Sequence, residues 1–260
     1  MKSSDSAPVH TLIAPPEWGA IDFLSDLHLA PGTPHTLAAL QQHLQHSDAD
    51  AFFLLGDIFE VWIGDDARHA DFEARCLAML REASRRRPLF FMAGNRDFLL
   101  GEAMARDAGL TLLPDPTRLE AFGQHLLLSH GDALCLDDLD YQRFRAQVRG
   151  ADWQRDFLAQ PLETRRALAR QMRDASERSK RGQAMAQWSD LDAAACRDWL
   201  ARSGCQVLLH GHTHRPAVHE LGEGLQRWVL SDWDLEAATP RADVLRLDAR
   251  GLHRRAPDNA

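Results

Sequence analysis

Only four cysteines and one tyrosine, Tyr141, occur in 260 residues, and the cysteines form no C-x-x-C pair. Cys76, Cys135, Cys196 and Cys205 are therefore expected to be reduced, mostly buried thiols of a cytosolic protein. Positive charge is also in deficit. The 38 acidic residues outnumber the 30 basic ones, and a formal charge of −8 leaves no global electrostatic case for nucleic acid or an anionic membrane. No apolar run approaches bilayer length, and the N-terminus, with Lys2 before Ser, Asp and Pro residues, lacks the apolar segment of a signal peptide. A cytoplasmic location with at most peripheral membrane contact follows as the expectation. Internal repeats and low-complexity stretches are missing as well. At 45% hydrophobic and 26% charged, the composition excludes disorder, collagen and coiled coil.

What is present is histidine, thirteen in all, together with a recurring pattern of short apolar runs. The runs 21–25, 51–56, 89–94, 126–129 and 207–209 each stop at a small or polar residue, which suits strands buried on both faces. Helical patterns over 36–46 and 72–86 separate the first three, so the chain reads as α/β. It continues with a helix over 101–108 and strands over 110–113, 118–121 and 124–129, and is β-rich again from 207 to 255. Between 138 and about 203 the strands give way to consecutive helices, which reads as an insertion between core strands. Over 141–183 this insertion holds eleven basic residues against five acidic ones, a surplus of six within an acidic chain. Such a run is either a solvated helical face or a basic cap facing an anionic lipid or substrate.

Five of the strand-like runs end in oxygen or nitrogen ligands: Asp26-Leu-His28, Gly56-Asp57, Gly94-Asn95-Arg96-Asp97, His130-Gly-Asp132 and His210-Gly-His212-Thr-His214. Open α/β sheets bind their ligands at the carboxyl ends of strands. One such residue is most simply a turn or a cap, but five clusters in one chain point to a shared centre. Mixed imidazole, carboxylate and amide donors suit Mn, Fe or Zn, whereas Mg or Ca favours an all-oxygen shell. A carboxylate shared by two cations reduces their repulsion, and Asp57 is the natural bridge. If the backbone is extended, His212 and His214 face the same side.

At these residues the sequence resembles the calcineurin-like metallophosphoesterases, whose pattern is D-x-H, G-D, G-N, H and G-H-x-H in this order. The flanks sharpen the match. Ser25-Asp-Leu-His-Leu29, the stretch from Gly56 to Asp66, Gly94-Asn-Arg-Asp-Phe98, the stretch from His130 to Cys135 with Asp137, Asp138 and Tyr141, and the stretch from His210 to Pro216 resemble the UDP-2,3-diacylglucosamine hydrolases of lipid A biosynthesis. The resemblance implies an α/β sandwich of two mixed β-sheets flanked by helices, forming one domain over 20–250. A helical cap would be inserted at about 138–203, with 1–19 and 251–260 as terminal segments. It implies two Mn(2+) ions, one on Asp26, His28, Asp57 and His214, the other on Asp57, Asn95, His130 and His212. Asp57, Asn95, Arg96 and His212 become the catalytic group, and Asn95, Arg96, Asp138, Ser176, Lys180, Gln183 and His212 the substrate contacts. The implied reaction is water attack on the α-phosphorus of UDP-2,3-diacylglucosamine, giving UMP and 2,3-diacylglucosamine 1-phosphate. The implied partners are this lipid-linked UDP-sugar and the cytoplasmic face of the inner membrane, with no nucleic acid and no identifiable protein partner.

Many relatives carry G-N-H-[DE] where this chain has Gly94-Asn-Arg96-Asp. Arginine cannot protonate a leaving group at neutral pH, but it can bind a phosphate bidentately. A phosphate monoester, with a second pKa of about 6, leaves without that proton, so the substitution favours a pyrophosphate. The competing reading of Arg96 is an ion pair with Asp97. A soluble nucleotide pyrophosphatase or phosphodiesterase with the same metal core is the rival function, and a binding protein that has lost catalysis is another. Phe59 and Trp62 are either pocket or core, and Tyr141 either binds or packs. Asp65, Asp66 and Asp132 are turn residues or support ligands, and His210 is structural or orients a ligand. His10, His35, His43, His46, His69, His125 and His253 are expected at the surface.

Overall fold

The computed structural model describes residues 9–180 and 189–258, with side chains left out over 174–180. The apolar runs become strands because each feeds two cores at once. β2 (Ala20–Leu24), β3 (Ala51–Leu55) and β4 (Leu89–Met92) run parallel, followed by β5 (Leu110–Leu113). β11 (Val244–Asp248) and β12 (Gly251–Arg255) extend this sheet antiparallel on its other side, in the order β12-β11-β2-β3-β4-β5. The second sheet contains β1 (His10–Ile13), β6 (Thr117–Ala121), β7 (Gln124–Ser129), β8 (Val207–His210), β9 (Val218–Gly222) and β10 (Leu225–Val229). Its order is β1-β6-β7-β8-β10-β9. Parallel and antiparallel pairs occur in both, so the expected sandwich of two mixed sheets is what the chain forms.

Alternate residues of each strand point to opposite layers. Phe23, Phe53 and Phe90 face the second sheet and pack ring on ring, Phe53 and Phe90 stacked at 4.5 Å, against Leu126, Leu128 and Leu209. The other face of the first sheet receives α1 (Pro34–His46), α2 (Asp71–Ser84) and α3 (Glu102–Ala108), through Leu40, Leu44, Cys76 and Met104. Asp22, on that buried face, takes Arg246 through both oxygens and also Ser47 and His43. His43 is thus fully buried, against the surface position expected of it, with its other ring nitrogen accepting the Asp258 backbone N–H. All four cysteines are free and buried, as read from the sequence.

The helical stretch divides into α4 (Leu139–Val148), α5 (Ala151–Leu158), α6 (Leu162–Lys180) and α7 (Ala193–Ser203). α7 is not part of a cap: Cys196 and Leu200 pack it on Leu127 and Leu208 of the second sheet. The domain limits of 20 and 250 also need correction, because β1 pairs with β6 and β12 with β11. Both are short, largely unburied edge strands, so they lack the continuous apolar signal that marks the inner ones. Among the described residues no helix is long and apolar enough to cross a membrane.

Candidate metal centre

β2, β3 and β4 are parallel in one sheet, as are β7 and β8 in the other, so their carboxyl ends meet at one end of the sandwich. All seven expected ligands leave from these ends. The turns are tied to one another by backbone bonds: Asp26 N–H to Gly56 O at 3.0 Å, His28 N–H to Asp57 O at 3.0 Å and Gly211 N–H to His130 O at 3.1 Å. Asp26, His28, Asp57, His212 and His214 all have φ between 49° and 67°, a left-handed conformation that side chains rarely adopt. Clustered strain of this kind marks sites where side-chain direction matters more than backbone comfort. The glycines supply the room. Gly56, at φ 89°, could not carry a Cβ, which would stand 2.5 Å from His130 Nδ1, and one on Gly94 would strike the Asp57 carboxylate.

Two groups of donors result. His28 Nε2 and His214 Nε2 face each other at 3.3 Å, with Asp26 Oδ1 at 3.4 Å from the latter. That oxygen is buried and has no hydrogen-bond partner. Donor atoms of Asp26, His28 and His214 lie within 4.8 Å of one another, as do those of Asp26, Asp57 and His130. In the second group, Asn95 Oδ1 lies 3.0 Å from His130 Nε2 and 2.8 Å from His212 Nδ1. Metal–nitrogen bonds of about 2.1 Å space neighbouring donors by roughly 3 Å, so convergence on a buried, unpartnered oxygen fits divalent ions. His212 and His214 serve different groups, because their left-handed backbone is not the extended one expected of an x-H-x-H pair.

The electrostatics favour cations. Burial alone would lower the His130 imidazole, but the charges of Asp57, Asp26 and Asp132 outweigh it and push the pKa up to about 9. Burial would likewise raise Asp26, yet His214, His130 and His28 hold its carboxyl well below the usual range. Burial and the neighbouring His130 charge bring His212 down to about 3. A third set of donors, Asp22, His43 and Asp258, lies apart from the strand ends, and its carboxylates are already paired, Asp22 with Arg246 and Asp258 with Arg255.

Around the candidate ligands stand further carboxylates, of which the sequence offers Asp132 as a support or turn residue and gives Glu60 and Asp232 no role. Asp97 is buried and accepts the backbone N–H groups of Asp57, Ile58, Phe59 and Gly94, so it orders the turns and does not pair with Arg96. Burial and the Asp57 charge push it up to about 6. Arg96 instead faces Glu60 at 3.7 Å, while its backbone N–H donates to Asp57 Oδ1 at 2.7 Å. Glu60 also meets His28 Nδ1 and the cap residue Arg173. Asp232 approaches His214 Nδ1 at 3.5 Å. Asp132 accepts Tyr141 Oη–H at 2.6 Å and Arg145 Nε–H at 2.8 Å, and the Tyr141 ring lies 5.9 Å from that of His212. For Glu60 and Asp232, only a count of carboxylates in and near the candidate ligand loops points to a role. Phe59 and Trp62 are core, in ring contact at 4.7 Å. His210 is buried beneath the site, its Nδ1 2.8 Å from Gly211 O. Asp138 is exposed and caps α4 by accepting the Tyr141 N–H. The side chains of Ser176 and Lys180 lie outside the described residues, as does Gln183.

The family model of the calcineurin-like phosphoesterases matches residues 19–216. UDP-2,3-diacylglucosamine hydrolase of Chromobacterium violaceum is 47% identical over 240 residues, covering 90% of this chain and 97% of the relative. The chain belongs to the UDP-2,3-diacylglucosamine hydrolase family of calcineurin-like phosphoesterases. Other hydrolases of this family, from Stenotrophomonas maltophilia and Bordetella pertussis, are 44% and 43% identical; they align over 88% and 90% of this chain and 95% and 93% of their own. Among solved structures, an archaeal phosphodiesterase aligns over 91% of this chain and 97% of its own, at 11% identity and a TM-score of 0.47. Family members are metallophosphoesterases, which agrees with the donor groups at the strand ends.

Proposed function

We propose that this protein hydrolyses the pyrophosphate bond of UDP-2,3-diacylglucosamine, releasing UMP and 2,3-diacylglucosamine 1-phosphate. The observation that carries the proposal is the convergence of the mixed donor groups with Arg96 at one end of the sandwich, in a chain 47% identical to a hydrolase of that name. Asp26, His28, Asp57 and His214 would hold one divalent ion, and Asp57, Asn95, His130 and His212 the other, with two Mn(2+) per subunit. Bound there, the ions supply Lewis acidity to the phosphate oxygens and lower the pKa of water. Arg96, fixed by its backbone to Asp57 and partly exposed, would neutralise charge developing on the phosphates. Water enters at the α-phosphorus and its oxygen stays on UMP. The sugar 1-phosphate departs as an anion, so no side chain needs to donate a proton.

α4, α5 and α6 would form the cap, with the domain otherwise continuous. Their exposed Leu139, Phe144, Leu158 and Met172 supply apolar surface for acyl chains, each buried CH2 contributing roughly 0.8 kcal/mol. Asp138, Ser176, Lys180 and Gln183 would contact the polar part of the substrate. The protein would work peripherally at the cytoplasmic face of the inner membrane, where such a lipid resides.

The test is hydrolysis in water labelled with heavy oxygen, with Mn(2+) present. Label in UMP and none in the sugar phosphate is expected. Label in the sugar phosphate would move the attack to the other phosphorus. Faster turnover of UDP-glucose or dinucleoside polyphosphates than of the lipid-linked sugar would replace the reading with a soluble nucleotide pyrophosphatase.

A further inference from the structure

Glu60 lies outside every ligand motif, yet an imidazole and two guanidinium groups meet on its carboxylate. Oε2 stands 3.1 Å from Nδ1 of His28, a close charge contact outside hydrogen-bond alignment, on the ring whose other nitrogen faces His214. Oε1 stands 3.2 Å from Nε of Arg173 on α6 and 3.7 Å from Nη1 of Arg96. The residue is held in place, its side chain only 14% exposed and its backbone N–H donating to Leu29 O at 3.1 Å. We propose that Glu60 is a positioning residue, a single carboxylate that sets the His28 ring toward the metal centre and seats the core Arg96 and the cap Arg173 side by side.

A ligating imidazole needs its remote nitrogen fixed, or the ring is free to turn and the donor is lost; a carboxylate does this best. Two guanidinium groups close together repel, and an intervening carboxylate removes that cost. Because Arg173 belongs to α6, the same carboxylate also fixes where the cap sits relative to the ligands. Assigning the pyrophosphate to the arginines rests on the function proposed above; the hold on His28 does not.

The experiment compares the full chain with Glu60→Gln and Glu60→Asp, first by calorimetric titration with Mn(2+) alone. Glu60→Gln, of the same shape but uncharged, is expected to bind Mn(2+) about 10–100-fold more weakly. Glu60→Asp keeps the charge one methylene back and is expected to fall between, and it gives the reading if the glutamine variant does not fold. The second measurement is KM for the lipid-linked UDP-sugar in Glu60→Gln, Arg173→Ala and the double variant. If Glu60 acts through Arg173, the double variant has a KM close to that of the worse single one. Unchanged Mn(2+) affinity together with fully multiplicative KM effects would overturn the role. A parent that binds Mn(2+) but leaves the UDP-sugar intact would instead defeat the proposed activity, leaving the His28 result standing.

Discussion

The ligand turns and the cap helices face each other and are built by opposite means. In the turns, Asp26, Asp57 and His130 are buried, the backbone is left-handed at five ligands, and hydrogen bonds run from turn to turn. In the cap, α4 buries only Val148 and α5 only Phe157; Trp153, Leu162 and Leu168 pack partly buried against the core, and arginines supply the polar attachment to the body. Arg145 and Arg149 reach Asp132, Arg165 reaches Asp66 and the Ile63 carbonyl, and Arg173 reaches Glu60. Arg143, Arg155 and Arg166 pair within their own helices. Much of the positive surplus in this segment is therefore adhesive between an acidic body and a basic lid. Charge summed along a segment overstates what reaches solvent, because it cannot tell which partners the fold supplies.

That contrast is open to attack from both sides. The largest effect belongs to the turns: Asp57→Ala should lower hydrolysis by about 10^3-fold or more, since several kcal/mol of charge stabilisation depend on the centre and each 1.36 kcal/mol is tenfold. Chelation should abolish activity and added Mn(2+) restore it; activity that persists in chelator would remove the metal from the mechanism. Next comes Arg165→Ala, which strips a buried partner from the Ile63 carbonyl and should cost about 1–3 kcal/mol. Hydrogen exchange should accelerate over α5 and α6 while the sheets stay protected; equal acceleration in both would mean the two regions do not differ as described.

Acid should act on the body. Burial alone would raise Asp22, but Arg246, His43 and Ser47 hold it far below its ordinary value of 3.8. A carboxyl depressed in the folded state contributes stability that is present above that value and lost as pH falls below it. The unfolding midpoint should decline below about pH 4, and Arg246→Met should flatten that dependence as well as lower the midpoint. The smallest effect is expected at Arg155, whose partners Asp152 and Asp156 are exposed: Arg155→Ala should leave the midpoint unchanged. If residual cap charge draws the protein to anionic vesicles, binding should weaken as salt rises, and salt-independent binding would assign the contact to apolar side chains alone.

The inner strands and the donor-bearing turns after them are legible because both leave local signals. A run such as Ala51 to Leu55 is apolar throughout since both its faces are buried, and Gly-Asp or Gly-Asn after it records a turn too tight for a Cβ. The edge strands β1 and β12 left no such signal, having little to bury. α7 was grouped with the cap because its periodicity is that of any amphipathic helix; which surface it covers is not written in its spacing. His43 differs for a related reason: one of three histidines in α1, it looks solvated by spacing alone, and only the packing of α1 on β2 puts Asp22 beneath it.

The sequence by itself determined the α/β class, the family and the order of the candidate donors along the chain, because strand burial and turn chemistry act over a few residues. Only the tertiary structure decided that Asp97 holds the turns and that Glu60 joins His28 to arginines from both the core and the cap. Those are relations between groups as much as 145 positions apart, as in the Arg173 to His28 pairing through Glu60. Coulomb and hydrogen-bond energies depend on distance in space, and only the packing of the two sheets and the cap sets that distance.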